Sequence, residues 1–422
     1  MNNNKNDEIN SLLEKVKSDL EMQHTFIKEA HKSNKKEAKI SDDTISSVEP
    51  FIKFDEIKEQ NKIAKEELES DSKEKKKKKS NKVKKNSKKK TKKISKLTIA
   101  CIIMDIFVVL GFFLTYGPID YFRNLLVTTA SKTMDHQYLS YIFYTPSMVE
   151  KILSENYFVR INDKVDLDEV TIDTSEKTTY KDKYEKEILT RDEGNDLYKI
   201  LDIKIGNNVG YLVAIYAPEK VRLISKEVLG TEVGERVITM CKRYGGVVCI
   251  NGGGFVDYGY GSGIPMGNVI EDGKIIWEGS DRASEIIGFN ADGKLMLLNA
   301  TGQEAIDQGM IHGLEFGPFL IVNGKALKIV GDPWGKAPRV AIGQRKDGVV
   351  LFLIADGNNY INGASLQDMI DVLLRYGAYN AANLDGGQST TLVVNNKLYN
   401  NPPPAAKSTN GRYVVTGFGL VP

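Results

Sequence analysis

The sequence predicts an α+β fold: a domain of mostly antiparallel or mixed sheets with flanking helices, preceded by a single transmembrane helix and a disordered, Lys-rich tail. Three observations carry this reading. From Tyr198 onward, short apolar runs alternate with Gly, Asn and Asp turns, the pattern of strands and hairpins. Only a few stretches in that region have a helical period. Ahead of it, residues 97–116 are almost wholly apolar and directly follow a block of lysines.

At 422 residues the chain exceeds one ordinary domain. Its formal net charge of +2 hides a strong asymmetry, because residues 73–96 hold fifteen lysines against one acid, Glu74. The remainder is therefore net acidic. A block of like charges repels itself and stays solvated. Within residues 1–96, Ile9, Leu12, Leu13, Val16 and Leu20 recur at helical spacing, and 51–68 forms a second such stretch. Short isolated helices are marginal in water, so this region is expected to be a largely disordered cytoplasmic tail.

Residues 97–116 supply the ~20 apolar positions that cross a bilayer as a helix, interrupted only by Asp105. A lysine-rich flank marks the cytoplasmic border of a span and contacts anionic headgroups. The membrane, not nucleic acid, is the partner this block implies. The run is too long and too late in the chain for a cleaved signal peptide, so it reads as a signal-anchor. The N-terminus is then cytoplasmic and everything after Tyr116 extracellular. Residues 117–194 read as a membrane-proximal stalk, with an interfacial helix beginning at 121–127, another helix near 145–155 and a charged, Thr-rich stretch over 162–194.

Residues 195–422 form the outer domain, large enough to bury a core. A helix is expected over 230–246, ending at glycine, and a buried strand over 247–251. Further strands are expected within 286–299, 319–330, 339–355, 391–399 and 413–420, and another helix over 365–376. Asp272-Gly273, Asp292-Gly293, Asn323-Gly324 and Asp347-Gly348 are hairpin signals between strands. Cys101 lies in the apolar run. Cys241 and Cys249 either pair or pack as small apolar residues. No cysteine or histidine spacing suggests a metal site, and no cofactor is expected.

Polar, glycine-rich clusters fall at strand ends: 250–255, 261–267, 337–343, 355–359 and 383–390. Glycines and aspartates make turns, which explains any one of them. Several such loops on one sheet scaffold are where sites are built.

The motifs Asn-Gly-Gly-Gly-Phe at 251–255, Gly-Pro-Phe-Leu-Ile at 317–321, Arg-Val-Ala-Ile-Gly at 339–343 and Asn-Leu-Asp-Gly-Gly-Gln-Ser-Thr at 383–390 resemble, in order, those of the phosphodiester glycosidase (NAGPA) family. Gln388 and Val340 depart from its usual residues. The resemblance spans roughly 195–422 and implies a hydrolase that cleaves a sugar from a sugar-phosphate diester. Bacterial relatives are associated with exopolysaccharide biosynthesis.

The bond in question joins an anomeric carbon to a phosphate that is already a good leaving group. Its cleavage needs charge stabilisation on the phosphate and on an oxocarbenium-like sugar. Arg339 is the expected phosphate clamp, since a planar guanidinium grips two oxygens. Asp385 is the expected nucleophile or base and Asp356 the second choice, ahead of Glu271, Asp257 and Glu315. Backbone amides at Gly253, Gly386 and Gly387 are expected to assist. Asn251, Gly254, Phe255, Ser389 and Thr390 are expected to contact substrate, with His312 as an acid-base candidate. Two other classes fit the clusters: a glycan-binding module without catalysis, and a phosphoesterase holding a divalent cation on Asp356, Asp385 and Asn358.

Overall fold

The computed structural model describes residues 96–117, 120–131, 137–257, 262–357, 362–403 and 410–422. The expected disordered tail and its two amphipathic stretches lie outside the described residues. Over the rest, the α+β expectation holds. Every strand pair among the described residues is antiparallel.

The largest sheet has seven strands, in the order Lys325–Ala326, Phe319–Val322, Ala378–Leu384, Arg339–Arg345, Val350–Ala355, Asn208–Ile215, Tyr198–Ile205. A five-stranded sheet runs Lys397–Leu398, Leu392–Val394, Val248–Asn251, Thr416–Leu420, Val221–Ser225. A second five-stranded sheet is built from Leu295–Ala300, Ser284–Asn290, Met310–Glu315, Val269–Glu271 and Lys274–Trp277. All three sheets share one apolar core, where Val340, Ile342 and Phe352 meet Ile250, Phe418, Ile287 and Phe289.

Strands in the large sheet are covered on both faces, which is why Val350–Ala355 is a continuous apolar run rather than an alternating one. Its outer face carries the helix Leu366–Arg375, whose Leu366, Met369, Ile370 and Leu373 pack on Ala341, Leu351 and Leu353. That helix begins with a capping box between Ser365 and Asp368. The expected hairpins all form. At two of them the turn pair has positive φ throughout, Asp272 (49°) with Gly273 (70°) and Asn323 (52°) with Gly324 (75°), as a type I′ turn demands.

Three expectations change. The helix expected over 230–246 starts at Val237, because Glu235–Arg236 instead pairs with Tyr413–Val414. It ends, as expected, on Gly245 in the left-handed conformation. Residues 157–194 do not stand apart as a stalk. Tyr157–Val159 pairs with Lys328–Val330, Val170 is fully buried, and Ile188 and Leu189 enter the core beneath the large sheet. These contacts are long-range, so no local pattern announces them. The expected membrane span is not shown either, because among the described residues no helix is long and apolar enough to cross a membrane. The apolar stretch does form a helix, Lys96–Tyr116, whose side chains are described without a break only over 98–113, where all are exposed.

Cys241 and Cys249 form a disulfide, joining the helix Val237–Tyr244 to the adjacent strand.

Candidate active site

The site grows from the junction of two sheets. The strand Ala378–Leu384 of the large sheet ends by delivering Asp385 to the first turn after Val248–Asn251 of its neighbour, where the Asp385 N–H donates to the Gly252 carbonyl (2.9 Å). Leu314 and the neighbouring strand crowd this turn and favour glycine at 252: a Cβ there would lie 2.5 Å from Leu314 Cδ2 and 3.0 Å from Gly417 Cα.

Asn251 holds the loop that follows. It is fully buried, and its Nδ2 donates to the Asp385 carbonyl (2.7 Å) while its Oδ1 accepts from the Thr391 N–H (2.9 Å). One side chain thus clamps both ends of 385–391. A second bracket lies behind it. The Asp356 carboxylate accepts from Asn400 Nδ2 and the Asn401 N–H, each at 2.8 Å, and bonds the Tyr211 hydroxyl, whose pKa burial first and then Asp356 push up to about 12. Asn400 in turn donates to the Thr390 carbonyl (3.2 Å) and accepts from the Leu392 N–H (2.8 Å).

Within this frame Asp385 is held with its carboxyl out of water, although the residue as a whole is only half-buried. Desolvation pushes its pKa up to about 6, against the opposing pull of the Ser389 hydroxyl, Arg412 and the Gly386 N–H, while Asp257 adds to the rise. Arg412 forms an ion pair with Asp257 and lies over the Phe255 ring, 5.2 Å from its centroid. A carboxyl, a hydroxyl and a guanidinium paired with Asp257 therefore converge where three chain segments meet.

The expected site residues divide accordingly. Asp385, Ser389, Gly386 and Phe255 belong to the cluster, and Gly254 borders it, close to the Phe316 ring and Met266. Asn251 and Asp356 hold the surrounding loops through the hydrogen bonds just described. The Gly253 amide donates to Thr416 Oγ1 (3.0 Å) and the Gly387 amide to the Pro338 carbonyl (2.8 Å). The Thr390 hydroxyl is buried and has no hydrogen-bond partner among the described residues.

Arg339 departs most from expectation. Its Nε donates to the Ala364 carbonyl (2.7 Å) and its Nη2 to the carbonyls of Trp334 (3.1 Å) and Gly335 (2.8 Å). Burial lowers its pKa to about 10, opposed by Asp332 and Asp368. Its guanidinium thus staples neighbouring loops. Strand alternation explains this: Val340 faces the shared core, so Arg339 and Ala341 face the opposite way.

His312 lies elsewhere, between Asp272 and Arg222 on the second five-stranded sheet. Burial, reinforced by Arg222, lowers its pKa to about 4. Glu271 accepts from Tyr244 and Ser225, and Glu315 holds Asn268. Among the described residues, no three His, Cys, Asp or Glu side chains gather to hold a metal.

Sequence reasoning missed Arg412. The only local signal is one basic residue in Gly-Arg-Tyr-Val-Val, just ahead of the last strand.

Residues 244–421 match the phosphodiester glycosidase family, NAGPA. The matched stretch contains every residue of the cluster. The chain is 33% identical over 180 residues to the SPbeta prophage-derived uncharacterized protein YomE of Bacillus subtilis, covering 40% of this chain and 27% of that protein. It is 26% identical over 164 residues to mouse N-acetylglucosamine-1-phosphodiester alpha-N-acetylglucosaminidase, covering 35% and 31%. The zebrafish NAGPA catalytic domain aligns with a TM-score of 0.46 at 22% identity, over 55% of this chain and 85% of that one. The chain spans less than a third of the length of the two curated relatives it matches here.

Proposed function

We propose that this chain is a membrane-anchored, extracytoplasmic hydrolase that cleaves the bond between a sugar's anomeric carbon and a phosphate, in the metabolism of cell-surface glycan or exopolysaccharide. The observation that carries the reading is the convergence of Asp385, Ser389 and Arg412 at one sheet junction, inside the phosphodiester glycosidase match.

In this account Arg412 binds the phosphate. Phe255 below and Asp257 beside it fix the plane of the guanidinium, so little side-chain entropy is lost on binding. The departing phosphate monoester is anionic and leaves without strong protonation. Asp385 flanks the anomeric carbon. With a pKa of about 6 it is ionised at neutral pH yet poorly solvated, the state suited to a nucleophile or to a base that activates water. Ser389 fixes the orientation of its carboxylate. The part first expected of Arg339 passes to Arg412, and Arg339 keeps the loops around the site in place.

Support for the membrane reading comes from the lysine block at 73–96 and from the exposed apolar side chains of the following helix, such as Phe107, Val109 and Phe112, each 67% exposed. The disulfide favours an oxidising compartment for the domain.

The test is to incubate the full chain in detergent with a panel of sugar-1-phosphodiesters and read the release of free sugar. Turnover that disappears in Arg412→Ala, with the fold retained, supports the account. A panel left intact by the wild-type chain counts against it.

A further inference from the structure

The helices Asp120–Ala130, Tyr138–Phe143 and Pro146–Glu155 form a small unit with its own apolar interior of Val127, Tyr144, Val149 and Ile152. Its surface is unusual for one in water. Tyr121, Phe122, Tyr138, Tyr141, Ile142 and Phe143 are all exposed, Tyr141 by 56% and Ile142 by 60%. Six large apolar or aromatic side chains exposed on two short helices are more than a monomer usually leaves in water.

We propose that this face is a collar seated in the headgroup layer of a membrane. Its chemistry fits that layer better than a dry protein partner. Tyrosine carries an apolar ring with a polar tip and is enriched where lipid meets water. The placement fits as well. The Tyr116 hydroxyl, in the last turn of the exposed apolar helix, donates to the Phe143 carbonyl (2.6 Å), and its ring lies 6.0 Å from Tyr144. The collar is thus pinned to the end of that helix and continues its apolar surface. On the opposite side the unit is fixed to the domain. Asn156 Oδ1 accepts from the Asp332 N–H (2.8 Å), and the Thr129 side chain sits against Gly335, where a Cβ would lie 2.1 Å from its Oγ1. Gly335 and Trp334 are the residues whose carbonyls Arg339 holds. A continuous set of contacts therefore runs from the collar to the loops beside the site, so seating the collar fixes the height of the site above the lipid.

This inference extends the membrane reading but does not depend on the helix spanning the bilayer, and one experiment separates the two. The full chain is reconstituted in vesicles of phosphatidylcholine and phosphatidylglycerol that carry nitroxide lipids, with the nitroxide either at the headgroup or deep in the acyl chain. An environment-sensitive fluorophore is placed on the native Cys101 thiol, which is exposed in the apolar helix, or on the thiol of a Tyr141→Cys, Cys101→Ser variant. We expect the fluorophore at position 141 to lose most fluorescence to the headgroup nitroxide and little to aqueous iodide. Loss to iodide alone marks a free aqueous surface and overturns the collar. Shielding from lipid and iodide alike marks a second copy or another protein and also overturns it. Quenching at position 141 without deep quenching at Cys101 upholds the collar and removes the span. Sugar release by both labelled proteins, measured alongside, reports separately on the glycosidase reading.

Discussion

Replacing Asp385 by asparagine should abolish turnover and, at the same time, make the protein more stable above pH 6. Asparagine keeps the size of the side chain and an acceptor for Ser389 and the Gly386 N–H, but cannot ionise. The carboxyl pKa rises from 3.8 to about 6 on folding. A group whose folded pKa is raised holds its proton longer in the native state, so the wild type loses stability as pH climbs between those two values. At about 1.4 kcal/mol per unit, the desolvated charge costs roughly 3 kcal/mol at pH 8. The weaker acceptor in the variant returns about 1 kcal/mol of this, which leaves a net gain of ~2 kcal/mol. Below about pH 3 the acid is protonated in both folded and unfolded wild type, and the gain should vanish. Urea unfolding of both proteins at about pH 3 and pH 8 measures the difference. A variant less stable than wild type at pH 8 would refute the reasoning, for it would mean that Arg412 and Ser389 more than offset the burial.

Other consequences follow from the same contacts. Arg339→Met removes the donor to the carbonyls of Ala364, Trp334 and Gly335 and should cost about 3 kcal/mol or more in unfolding free energy, read as a lower melting temperature; a fully stable but inactive variant would return the phosphate to Arg339. The kcat/KM profile should rise through about pH 6 as Asp385 ionises, and His312→Ala should leave that limb in place, because His312 is already neutral there with a pKa of about 4. Cys249→Ala opens the short loop closed by the disulfide and should cost roughly 2–3 kcal/mol, measured by denaturant unfolding without reductant.

Much of the fold is legible in local sequence because its signals are local. Asp272-Gly273 and Asn323-Gly324 fix hairpin registers through turns only such residues adopt readily, and Ser365 with Asp368 marks a helix start. Asp385 and Ser389 are visible for a similar reason: they lie in one short loop, four positions apart. Arg412 is not, since strand pairing between Thr416–Leu420 and Val248–Asn251 carries it to Asp257 across 155 positions. Arg339 shows the converse. Its place at a strand start is readable, but the face it points to depends on which side of the sheet holds the shared core. The packing of 157–194 escapes notice because its partners, such as Glu285 for Arg160 and Asn323 for the Lys164 carbonyl, lie far along the chain.

The central claim is that one guanidinium and one carboxyl, from separate loops, act on a single sugar phosphate. Its most direct measurement is a side-by-side assay of wild type, Arg412→Lys and Arg412→Ala on sugar-1-phosphodiesters, with kcat and KM resolved. The account predicts a rising KM and falling kcat in that order while Asp257 and Phe255 stay in place. Undiminished sugar release by Arg412→Ala would contradict it.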